Sequence, residues 1–72
     1  MNRQEHLQWA KDRAIQYLEI DEIFHSWNSF CNDMRKHDEL SNHAALSMGT
    51  MMMLQGFWKN KEECKKYIEG FN

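Results

Sequence analysis

The sequence predicts an all-α fold, a small bundle of three longer helices and one short helix around a central Met-rich helix. Three observations carry that prediction. Pro is absent, Gly occurs three times and β-branched residues are few, so strands are poorly supported. Apolar residues recur at three- and four-residue spacing along most of the chain, the period of a helix with one buried face. The stretch AALSMGTMMMLQG, Ala44 to Gly56, is apolar on every side. At about 100° per residue, Ala44, Met48, Met51 and Met52 cover one side, and Leu46, Met53 and Leu54 cover the other. A helix apolar all round is either buried or membrane-spanning. At about a dozen residues it falls well short of the ~20 that a bilayer requires, so it is expected at the centre of the bundle.

Seventy-two residues make one domain, residues 1–72, and a chain of this size buries only about 60% of its unfolded surface. Cores this small contribute a few kcal/mol unless something reinforces them. Cys31 and Cys64 are the two cysteines, and the polar opening MNRQEHLQWAKD lacks the apolar run of a secretory signal. A reduced cytosolic setting is expected, which makes self-association a better reinforcement than a disulfide. The net charge of −2 supplies neither the basic field of a nucleic-acid binder nor the dense negative field of a nucleic-acid mimic.

Asn2 followed by Glu5 fits a capping box that opens the first helix. Leu7, Ala10, Ala14, Tyr17 and Leu18 form its narrow apolar face, and the two alanines admit a close neighbour. Trp9 points away from that face, among Glu5, Asp12 and Gln16. Asp21 is the expected N-cap of a second helix over about Glu22 to Lys36. Its stripe of Ile23, Phe24, Trp27, Phe30, Cys31 and Met34 is wide and rich in aromatics, and Arg35, Lys36 and His37 suit its C-terminal dipole. The polar run from His37 to Asn42 reads as a loop, with Ser41 or Asn42 capping the third helix. Gly49 costs about 1 kcal/mol in mid-helix relative to Ala, for which close contact with another helix is the expected compensation. Gly56 suits the C′ position that stops this helix. Asn60 and Glu63 offer a second capping box, Cys64, Tyr67, Ile68 and Phe71 form the apolar face of the fourth helix, and Gly70 ends it.

Several groups could carry chemistry. His6, His25, His37, His43 and the two cysteines lack the spacing of a structural zinc site. Both cysteines lie on apolar faces, where a free thiol behaves as a small hydrophobe, so neither a metal nor a nucleophilic thiol is expected. No cofactor is expected and the chain does not read as an enzyme. The His37–His43 loop, with Asp38 and Glu39, could bind a metal or relay protons; the simpler reading is that His43 and Asn42 satisfy the exposed end of the third helix. The cluster of Met48, Met51, Met52 and Met53 is either core filling or an adaptable contact surface, depending on whether other helices cover both of its sides. Lys59, Lys61, Lys65 and Lys66 interleave with Glu62, Glu63 and Glu69, the pattern of a solvated face rather than a phosphate-binding one.

Lys36-His37, His43, Gly49, Gly56, Glu62-Glu63 and the closing Ile68-Glu69-Gly70-Phe71-Asn72, with Glu5-His6-Leu7 and Arg13-Ala14 near the start, resemble a group of small phage-encoded proteins, mostly of unassigned function. The Gly56 to Gly70 spacing is the most specific part. Members often carry Pro-Glu-Thr after Lys-His, where this chain has Asp38-Glu39-Leu40. The resemblance implies a phage protein acting in the cytoplasm of an infected cell, and it implies no activity.

The function expected is therefore protein–protein interaction with a host or phage protein, most simply a host factor that is inhibited or redirected. A homo-oligomeric structural or accessory role is the alternative, and neither nucleic acid nor membrane is an expected partner. The candidate contact residues are Trp9, Arg13, Met53, Phe57 and Trp58. Trp and Arg are favoured at binding hot spots, and a short connection is a poor place to bury two adjacent aromatics.

Overall fold

The computed structural model describes residues 2–20 and 22–72, and over them the chain forms four helices and no strand: α1 (Arg3–Leu18), α2 (Ile23–Arg35), α3 (Ala44–Leu54) and α4 (Lys61–Glu69). α1 opens on the expected capping box: Asn2 Oδ1 accepts the Glu5 N–H, and Glu5 accepts the N–H of Asn2 in return. The expected cap Asp21 lies outside the described residues. Glu22 stands at the N-cap position of α2 and makes no side-chain capping bond.

α1 and α2 form the closest helix pair. Ala10 and Ala14 are fully buried in its seam. With no side chain beyond Cβ in the way, Ser26 Oγ reaches the Ala14 carbonyl at 2.8 Å. α4 packs along the other side of α1, and Lys11 Nζ donates to the carbonyls of Glu69 and Phe71 at the end of that helix. A cation there satisfies terminal acceptors and offsets the helix dipole.

The centre of the molecule is α2, which corrects the expectation of a central Met-rich helix. Trp27, Phe30, Cys31 and Met34 are buried, and Trp27 meets Phe30, Trp58, Tyr67 and Phe71 with ring centroids 5.1–6.2 Å apart. On α3 only Leu46 and Gly49 are buried. Apolar residues all round a helix give it no preferred direction, and a chain this short cannot cover both sides. Gly49 decides which side packs: a Cβ there would stand 2.5 Å from the Trp27 ring and 2.8 Å from Tyr67. The Gly is therefore the close approach that the sequence implied.

The polar tips of two core aromatics also hold α3. Trp27 Nε1–H donates to Thr50 Oγ1 at 2.9 Å, and Tyr67 O–H donates to the Ala45 carbonyl at 2.9 Å. A complete Schellman motif ends the helix, with Phe57 N–H on the Met52 carbonyl, Gly56 N–H on the Met53 carbonyl, and Gly56 at φ 78°. That left-handed conformation is the one Gly adopts without penalty. Gly70 ends α4 differently, in right-handed conformation at the C-cap.

Candidate protein-interaction surfaces

His6, Trp9 and Arg13 recur at three- and four-residue spacing and share one face of α1, which lies over the C-terminal half of α2. Its anchor is Asp33, 1% exposed. Arg13 Nε sits 2.8 Å from Asp33 Oδ2, Lys36 Nζ lies 3.4 Å from Oδ1, and His6 Nε2–H donates to the Asp33 carbonyl oxygen. A buried carboxylate held by two partly exposed cations is costly to leave unpaired, so this network fixes both cations in place. They grip the Trp9 indole, with Arg13 5.0 Å and Lys36 5.7 Å from its ring centre and the His6 ring edge-on at 5.1 Å.

Trp9 is thus half-buried rather than standing free among acidic neighbours, and it packs against the core cluster. Helical side chains lean toward the N-terminus, which brings the indole alongside His6 and over α2. Sequence reasoning missed Asp33, His6 and Lys36 as members of this cluster. Their signal was present: Ser26, Phe30 and Asp33 follow a 4–3 spacing, a polar pair on the α2 seam that faces the small residues of α1.

Of the other candidates, Trp58 is corrected. It is 7% exposed, with its ring 5.1 Å from Trp27 and 5.4 Å from Tyr67, and is a core side chain. The Gly56 turn aims the chain so that Trp58 goes in and Phe57 stays out, at 57% exposure. Met53 is partly buried against the core. The exposed side of α3 is instead the one with Met48 and Met51, at 61% and 59% exposure, and Leu54, expected on the side of Leu46 and Met53, joins it at 74%. Phe24 and Tyr17 also reach solvent, so the apolar stripes read on the first two helices are narrower than the sequence implied.

The His37–His43 loop supplies the cap of α3. His43, rather than Ser41 or Asn42, caps α3, with Nδ1 accepting the Ala45 N–H at 3.2 Å, and His37 Nδ1 accepts the Glu39 N–H at 3.2 Å. Leu40 turns inward from this polar run and is fully buried. Among the described residues no three His, Cys, Asp or Glu side chains gather into a group that could hold a metal ion, and no helix is long and apolar enough to cross a membrane. Both thiols are free and buried. Loss of solvation raises the Cys31 pKa, outweighing a Thr50 hydrogen bond and the Arg35 charge. The same effect pushes Cys64 up to about 11 despite a hydrogen bond from Ser26. Neither thiol has the electropositive, accessible setting of a nucleophile.

No family model matches the chain, and no curated protein or solved structure matches it either.

Proposed function

We propose that this chain acts by binding another protein through the face built from Trp9, Arg13 and Lys36. One observation carries the reading: a half-buried indole is held at the surface against two cations, both of them paired with one buried carboxylate. Trp and Arg dominate binding hot spots, and side chains already held in one geometry lose little entropy on binding. The Arg13 and Lys36 side chains remain 46% and 60% exposed, which suits a partner segment bearing carboxylates. The resemblance to small phage-encoded proteins supports a host factor in the infected cell as that partner, inhibited or redirected by the contact. The reading is one of binding, and no chemical step is assigned to any residue.

Capture from host lysate by the wild type, Trp9→Ala and Lys36→Glu tests it. Truncating a hot-spot Trp weakens binding by about 2 kcal/mol or more, and reversing Lys36 reduces capture and also lowers stability, because it takes a cation from the buried Asp33 carboxylate. The half-buried position of Trp9 adds a stability loss of about 1–2 kcal/mol, smaller than the 3–5 kcal/mol of a fully buried Trp. Equal capture by all three chains would remove this face from the function. A second reading, self-association, is favoured by a separate observation on α3.

A further inference from the structure

We infer that the outer face of α3, extended by Phe57, is where a second copy of this chain docks, giving a two-fold symmetric dimer. Ala44, Met48, Met51 and Leu54 are all exposed and follow one another at three- and four-residue spacing, so they form a single outward stripe, with exposed Ser47 next to Met48. Such spacing is the seam along which helices pair. The Schellman turn brings Phe57 to the end of the helix, where it shares a shallow groove with Met52. Four large apolar side chains in this region are each more than half exposed, and clustered apolar exposure of this kind marks contact sites.

Charge points to the occupant. From Leu40 to Trp58 the chain carries no Asp, Glu, Lys or Arg, although 28% of the whole sequence is charged. A surface without formal charge offers a foreign partner little electrostatic means of recognition. It meets itself without penalty, as a two-fold interface requires, because there the same patch faces its own copy. The rim agrees. A shallow groove lined by Met52, Phe57, Trp58 and Tyr67 is bordered by Glu63 and Lys66, one charge of each sign. Under a two-fold operation Glu63 of one copy faces Lys66 of the other, and Phe57 of each copy enters the opposite groove.

Sedimentation equilibrium over a concentration series tests the proposal on the full chain, with Met51→Glu, Phe57→Glu and Leu54→Gln beside the wild type. The expected result is a wild-type mass approaching twice the 8.8 kDa of one chain, with salt weakening the association only as far as the rim pairs contribute. Each variant should weaken the association at least tenfold with its helicity unchanged, and Leu54→Gln serves if a buried Glu perturbs folding. A wild type that stays monomeric throughout, or a dimer that all three variants leave intact, would overturn the proposal. A monomer that binds neutral phosphatidylcholine vesicles through Met51 would also overturn it, and would give this face to a lipid surface. Trp9→Ala leaves the dimer mass unchanged, and Met51→Glu leaves capture of the foreign partner unchanged, so the two proposals fail separately.

Discussion

At the scale of single residues, Gly49 sets the tightest tolerance in the fold. Two effects of Gly49→Ala oppose each other. Alanine gains about 1 kcal/mol of helix propensity over glycine, while its Cβ would lie 2.5 Å from the Trp27 ring, a separation that forces a rigid, fully buried indole to move. Overpacking of this kind costs about 1–3 kcal/mol, so the clash wins. Gly49→Ala should lower the urea midpoint and Gly49→Leu should lower it further. An unchanged midpoint for both would show that α3 yields without cost. Cys64 supplies a second prediction. Its pKa rises from a thiol's ordinary value near 9 to about 11 in the fold, so the unfolded chain gives up this proton first as pH increases. Stability should hold below about pH 9 and fall between pH 9 and 11, by on the order of 2 kcal/mol. Cys31 and Tyr67 shift in the same direction, each through desolvation, and steepen the loss. Denaturation at pH 8 and pH 10.5 checks the sign, and Cys64→Ala should flatten the dependence.

At the scale of elements, the sequence was most legible where one local rule decides the outcome. The Asn2–Glu5 box, the Gly56 stop and the Cys64–Tyr67–Ile68–Phe71 face stand as read, because caps and periodicity are properties of a few neighbouring residues. It was least legible on α3. Hydrophobicity says that a helix should be covered, but when every side is apolar it cannot say which side. The choice was made by Gly49 and by the polar tips of Trp27 and Tyr67, which lie on other helices. The Trp9 site was half legible for a similar reason. Trp9 and Arg13 are one turn apart and announce themselves on α1, whereas the Asp33 and Lys36 that fix them are visible only once α1 and α2 are paired. Tyr17 and Phe24 were placed in the core by wheels that carry no information about where the neighbouring helix ends.

At the scale of the whole molecule, the Cα radius of gyration of 11.2 Å equals the ~11 Å expected of a compact chain of this length. The apolar excess on α3 is therefore not a sign of loose packing. The core is complete without it, and the excess lies on the outside as surface. Charge follows the same division, with every Asp, Glu, Lys and Arg placed outside the Leu40–Trp58 stretch.

The placement of the three tryptophans also gives the molecule an optical signature. Trp27 and Trp58 lie 5.1 Å apart at 71°, sealed among Phe30, Tyr67 and Phe71. Rings that close and that rigidly oriented couple electronically, so the pair should dominate the near-ultraviolet circular dichroism and lose that signal only when the core opens. Trp9 sits apart, against Arg13 and Lys36 and beside His6. Its emission should be the fraction that a water-soluble quencher reaches first. The two kinds of indole divide the fluorescence of the native protein into a buried reporter of packing and a surface reporter of whatever occupies α1.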